Sequence, residues 1–146
     1  MNDSSSSQLT PVAIAILYQD DKYLMQLRDD IPNISNPGVW GLFGGHLEPG
    51  EDPETGLKRE LIEEISYSVE QLTKFRCYAD SKVIRYVFSC PLVVSIEQLE
   101  LNEGWDFGLL TVKEIDLGYK YSDKAGESRP LGNIHRQIIL DFIASK

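Results

Sequence analysis

The sequence predicts an α/β domain, a mixed sheet with helices packed on its faces. Two observations lead there. Apolar runs of strand length (PVAIAILY, KYLMQLR, KVIRYVFSCPLVV) recur between clusters of turn-forming residues. Two other segments carry apolar residues at helical spacing: Leu57, Leu61 and Ile65 in one, Ile134, Ile138, Phe142 and Ile143 in the other. With 146 residues, 42% of them hydrophobic, the chain suits one domain whose core needs no covalent staples. Residues 1–10, rich in serine, are expected to be a flexible tail, and 11–146 a single domain.

The elements follow in order. PVAIAILY and KYLMQLR are expected to be two strands joined by the turn-like QDD. DDIPNISNPG, with two prolines and a glycine, is a loop, and VWGLF a short strand leading into Gly44-Gly45. Asp52-Pro53 opens a helix that runs to about Ile65: the aspartate caps amide protons, and proline at the first helical position forfeits no hydrogen bond. LTKFRCYA and KVIRYVFSCPLVV pair as strands around the polar DS. QLEL, NEG and WDFGLL are expected to be strand, loop and strand, and Thr111 with Glu114 forms a capping box that starts a short helix at about 111–115. DLGYKYSDKAGESRPLG is a long polar loop, and NIHRQIILDFIASK an amphipathic closing helix.

Charge excludes several classes of function. A net charge of −9 leaves no Lys/Arg field for nucleic acid or anionic membrane. A small polyphosphate is still compatible, provided divalent cations supply the positive charge. The start has no basic region, and VAIAIL is too short for a signal core or a membrane span, so the expected location is cytoplasmic. Cys77 and Cys90 are expected to be reduced core thiols rather than a disulfide.

The negative charge concentrates in GGHLEPGEDPETGLKRELIEEISY, which sets seven carboxylates against Lys58 and Arg59. On a helix of about 3.6 residues per turn, Glu60, Glu63 and Glu64 share a face spanning about 100°. Leu57, Leu61 and Ile65 form the adjacent stripe to be buried. Gly56, one turn before Glu60, is expected to leave the carboxylate face open. Clustered carboxylates repel, and hard cations with oxygen ligands reverse the sign of that interaction.

Gly45, five residues, Glu51, seven residues, Arg59-Glu60-Leu61, one residue, Glu63-Glu64 resembles the Nudix box, the signature of Nudix hydrolases. The resemblance implies the Nudix α/β/α sandwich, with a mixed β-sheet and a C-terminal helix. It also implies a pyrophosphohydrolase that uses Mg²⁺, or Mn²⁺, to cleave a nucleoside diphosphate linked to another moiety. Carried over by box position, Glu60, Glu64 and Glu63 become metal ligands, joined by the Gly45 carbonyl, while Glu51 and Arg59 tie the loop to the helix. The family's general base is either a box glutamate or one from a later loop, and Glu103 in LNEGWDFG is the candidate for the latter, or else an ordinary exposed acid. Arg28 is a candidate phosphate contact or a surface ion pair with Asp29 or Asp30; His46 is a candidate site-lining or solvent-facing residue. Phe43 stands where the family's lead-in has proline, near the substrate or in the core.

Ser66 replaces the final glycine of the box, in a position just past the helix where a left-handed conformation is favoured. It is expected to cost about 1 kcal/mol locally and no metal ligand. The expected substrate is a nucleotide sugar or ADP-ribose type molecule, the alternative a nucleoside triphosphate. A non-catalytic nucleotide sensor is disfavoured because every box glutamate is retained. Monomer and homodimer are both compatible with the family.

Overall fold

The computed structural model describes residues 9–32 and 37–146. Most of the expected tail, and part of the loop after the second strand, lie outside the described residues, and Thr10 already begins the first strand. Strand β1 (Thr10–Gln19) alternates its side chains. Ala13, Ala15 and Leu17 enter one hydrophobic cluster, Ile14 and Ile16 the other. Burial on both faces explains why the run reads as continuously apolar. Helix α1 (Pro53–Ile65) covers the first face through Leu57, Leu61 and Ile65. Helix α3 (Asn133–Ala144) covers the second through Ile138, Ile139 and Phe142. The result is the expected three-layer α/β/α arrangement.

A two-residue turn at Asp20 and Asp21, both at positive φ (51° and 61°), connects β1 to β2 (Lys22–Leu27). Such turns match the right-handed twist of the flanking strands. The hairpin pairs only Tyr18 with Tyr23 and Gln19 with Lys22 before the strands part. On the side β2 vacates, β4 (Phe43–His46) pairs antiparallel with Val12–Ala15 of β1. On its other edge β1 runs parallel to β6 (Val83–Pro91), which carries β5 (Thr73–Ala79) as the sheet's edge. Strand β2 continues away, flanked by β3 (Trp40–Gly41) and β7 (Asp106–Thr111). The splay of β1 from β2 opens a cleft between them.

Several expectations are corrected. VWGLF breaks at Leu42 into β3 and β4, because the Leu42 amide donates to His135 Nδ1 at 3.0 Å instead of to a strand. QLEL is no strand: Ser95 caps a single 3-10 turn, Ile96–Gln98, and residues 99–105 are irregular. Leu99 and Leu101 pack on the α1-side core, while the backbone of this segment bonds the end of α1. The short helix expected at about 111–115 is present as α2 (Val112–Leu117), with its Thr111/Glu114 capping box, whereas most of the long polar loop after it is instead a hairpin, β8 (Tyr119–Ser122) with β9 (Glu127–Pro130). That ribbon is exposed over most of both strands, so it has no apolar alternation to betray it. Both cysteines are free as expected, but Cys77 is exposed and only Cys90 is buried. Among the described residues no helix is long and apolar enough to cross a membrane.

Candidate active site

Local chemistry fixes the start of α1. Asp52 Oδ2 accepts from the amides of Glu54 (3.1 Å) and Thr55 (3.3 Å), and Pro53 occupies the first turn. The loop before the helix is then fastened by one arginine. Arg59 Nε and Nη2 each donate to a Glu51 carboxylate oxygen at 2.9 Å, a bidentate fork. Glu51 also accepts from the Glu48 amide at 2.9 Å. These hydrogen bonds, Arg59 first, hold the Glu51 carboxyl down to about 2. Arg59 Nη1 reaches Glu60 at 3.0 Å and Glu63 at 3.4 Å, and Nη2 reaches the His46 carbonyl at 3.4 Å. Gly56 does not open the carboxylate face. A Cβ there would lie 2.8 Å from Glu51 Oε1 and against Leu47, so the glycine makes room for the brace.

The two glycines of β4, Gly44 and Gly45, are required by close approaches. The Gly45 backbone lies so close to Glu60 that a Cβ would sit 2.5 Å from Oε1. A Cβ on Gly44 would run into the Ala13 carbonyl of the neighbouring strand. Gly44→Ala is therefore expected to destabilise the fold by about 3 kcal/mol, the upper range for overpacking, because backbone cannot step aside as a side chain can. Urea unfolding checks this, and a loss under about 1 kcal/mol would show that β4 shifts freely.

Glu64 lies beneath these glycines, 6% exposed, and accepts from the Gly44 amide at 3.2 Å. Burial raises its carboxyl to about 9; Glu60 pushes the same way, the Gly44 amide partly offsets the rise, and Glu103 adds to it. A buried carboxyl whose neighbours are two more carboxylates is a site short of positive charge. Its donors are all oxygen, the chemistry that hard divalent cations take. Among the described residues no three His, Cys, Asp or Glu side chains already converge as a cage for an ion.

The cleft has a volume of about 380 Å³. It brings together Gly45, Glu60, Glu64, Glu103, His46 and Arg28 from the sequence-derived set. Glu63 is not among its lining residues: its side chain is 56% exposed beside Arg59. Phe43 is a correction. It is fully buried in the α1-side core, since its pairing with Ala15 points both toward Leu57 and Leu61, and it is not among the residues lining the cleft. Trp40 is likewise core, its indole N–H donating to the Lys120 carbonyl at 3.1 Å.

The cleft also contains residues that sequence reasoning missed: Gln26, Arg85 and His135. Arg85 pairs with Asp80 at 3.1 Å. Burial above all, with Arg85 and Arg28 acting the same way, pushes His135 down to about 4, so the imidazole is neutral at pH 7. Because Nδ1 accepts from Leu42, the proton resides on Nε2 and His135 is a donor at the cleft wall. Its only sequence signal was its place in the first turn of the closing helix. A second hollow of about 440 Å³ beside Lys74 and Cys77 shares none of these residues.

The family model for the NUDIX domain matches residues 8–130 of this chain. The chain belongs to the Nudix family. As a Nudix hydrolase it is a nucleotide pyrophosphohydrolase by class, and Nudix hydrolases in general use divalent metals such as Mg²⁺. It is 33% identical over 116 residues to a MutT-like protein of Streptomyces ambofaciens, which covers 77% of this chain and 71% of that protein. It is 27% identical over 107 residues to the nucleoside triphosphatase NudI of Escherichia coli, covering 63% of this chain and 74% of that one. Among solved structures, the MutT protein of Methanosarcina mazei superposes with a TM-score of 0.71 at 20% identity, over 94% of both chains.

Proposed function

We propose that this Nudix hydrolase converts a nucleoside triphosphate to the monophosphate and pyrophosphate, with Glu60 and Glu64 holding a divalent cation. The observation that supports this is one cleft with carboxylates Glu60, Glu64 and Glu103 and guanidiniums Arg28 and Arg85 among its walls. Carboxylates suit the cation, and guanidiniums suit phosphate oxygens. The choice of triphosphate over the nucleotide sugar or ADP-ribose type expected from sequence rests on the relatives, named MutT-like and nucleoside triphosphatase. Glu63 and the Gly45 carbonyl complete the proposed ligand set from the rim.

Bound Mg²⁺ or Mn²⁺ supplies charge neutralisation and acidifies a water molecule. Arg28 and Arg85 bind and orient the phosphates, and His135 offers a neutral N–H donor to the substrate. Glu103 accepts the proton as water oxygen bonds to phosphorus and the bridging P–O bond breaks. His46 lines the same cleft and faces solvent.

A substrate panel with product analysis tests the reading. Incubated with Mg²⁺, nucleoside triphosphates are expected to yield monophosphate and pyrophosphate at least about tenfold faster, in kcat/KM, than ADP-ribose or a nucleotide sugar yields its two monophosphates. A reversed preference would restore the nucleoside diphosphate derivative as substrate. Binding of nucleotide without any turnover would establish a sensor instead.

A further inference from the structure

Helix α1 ends where its last four carbonyls need partners, and the segment that carries Glu103 supplies three of them. The Ile62 carbonyl accepts from Ser66 N–H at 3.0 Å, within the helix's own turn. The Ile65 carbonyl accepts from Glu100 N–H at 3.2 Å, and the Glu64 carbonyl from Asn102 N–H at 2.9 Å. The Glu63 carbonyl accepts from the Asn102 side chain, Nδ2, at 2.9 Å. Asn102 thus holds the backbone of two consecutive glutamates, one of them the buried Glu64.

Ser66 joins the same clasp. Its backbone is left-handed (φ 56°, ψ 37°), a conformation that favours glycine. Its hydroxyl accepts from Asn102 Nδ2 at 3.1 Å and donates to Glu100 Oε1 at 3.1 Å. The side chain that strains the helix end is the one that ties the 100–102 segment to it. On the far side of Glu103, Gly104 is at φ +102°, and a Cβ there would sit 2.9 Å from Gln26 Oε1. Trp105 N–H then donates to the Leu27 carbonyl at 2.8 Å. Glu103 is therefore held between a pin on α1, which gives Glu60 and Glu64 to the cleft, and a pin on β2, which gives Gln26.

We infer that Asn102 is a positioning residue: with Ser66 it locks the Glu103 loop to the end of the glutamate helix and so sets where Glu103 stands relative to Glu60 and Glu64. This rests on the hydrolase reading, in which Glu103 takes part in the chemistry. Asn102 itself is exposed, so its hydrogen bonds compete with water and matter more for position than for stability.

The test is a double-mutant cycle on the full chain with Mg²⁺ and a nucleoside triphosphate, with Mn²⁺ affinity measured in parallel. Asn102→Ala is expected to lower kcat about tenfold or more, the usual effect of removing an outer-shell partner, with KM for the nucleotide within about twofold and the thermal midpoint nearly unchanged. Asn102→Asp, isosteric but presenting an oxygen to the Glu63 carbonyl, is expected to be as poor. In a Glu103→Gln background, Asn102→Ala is expected to cost nothing further, because both act through one carboxylate. Losses that multiply, or wild-type kcat in both Asn102 variants, would overturn the inference. So would wild-type kcat in Glu103→Gln, which would remove Glu103 from the chemistry while triphosphate hydrolysis itself stands. If the wild-type chain turns over no nucleotide, Mn²⁺ affinity decides: weakening by Asn102→Ala upholds the clasp while the hydrolase reading fails, and unchanged affinity, or no Mn²⁺ binding at all, overturns the clasp.

Discussion

Glu64→Gln is expected to reduce kcat by about 10²–10³-fold while making the metal-free protein more stable at alkaline pH. Both effects come from one buried carboxyl. In the folded chain it titrates at about 9, against an ordinary value of 4.5, chiefly because it is buried and faces Glu60. Between those two values the folded protein keeps a proton that the unfolded chain has released. Its stability therefore falls as pH rises from about 4.5 toward 9, by up to about 1.4 kcal/mol per pH unit. Glutamine has the same shape, accepts from the Gly44 amide equally well and carries no such proton, so the slope should flatten. Added Mg²⁺ should flatten it in the wild type, by pairing the ionised carboxylate, and do little for the variant. Thermal melts from pH 5 to 9, with chelator and with Mg²⁺, read this directly. A wild-type midpoint independent of pH in chelator, or turnover by Glu64→Gln within tenfold of wild type, would sink the assignment.

Arg59→Ala is the second large effect, and it reaches the cleft through the loop. Arg59 makes the two-pronged bond to Glu51 and a further bond to Glu60, and Glu51 is only 12% exposed. Without the guanidinium, Glu51 is left nearly buried and unpaired, and the loop that follows β4, with its Gly44 and Gly45, loses its tie to the helix. Activity is expected to fall about 10²-fold, with a clear drop in thermal midpoint. Lysine keeps the charge but not the fork, so Arg59→Lys should lose about tenfold. Glu51→Gln combined with Arg59→Ala should be no worse than Arg59→Ala alone, since the two form one brace. The brace also has an acid limit: the depressed Glu51 value means its stabilisation is full above about 4.5 and is lost as pH falls toward 2. Multiplying losses in the double variant would show that Glu51 and Arg59 act separately.

Much of the box was legible because its causes are local. Asp52, Pro53 and the Leu57/Leu61/Ile65 stripe define a helix whose observed bounds, Pro53–Ile65, are those the residues announce. Ser66 likewise stands in the left-handed conformation that the position past a helix calls for. Gly56 was misread for the complementary reason: its neighbours, Leu47 and Glu51, come from the loop, and a helical projection shows only the helix. Phe43 was misplaced because strand parity depends on register, and its pairing with Ala15 could not be known from VWGLF alone.

By itself the sequence determined the pattern of strands and helices and the glutamate helix with its caps, while the three layers and the brace were implied by the resemblance carried in the box spacing. The pattern and the caps depend on residues within a few turns of each other, where helix and strand periodicity leave little freedom. Only the tertiary structure decided which side chains share the cleft. Arg85 arrives on the strand parallel to β1, His135 on the closing helix, and Glu103 on an irregular segment held by the end of α1. They meet because β1 and β2 part after two residue pairs, and that parting depends on packing between segments far apart in the chain.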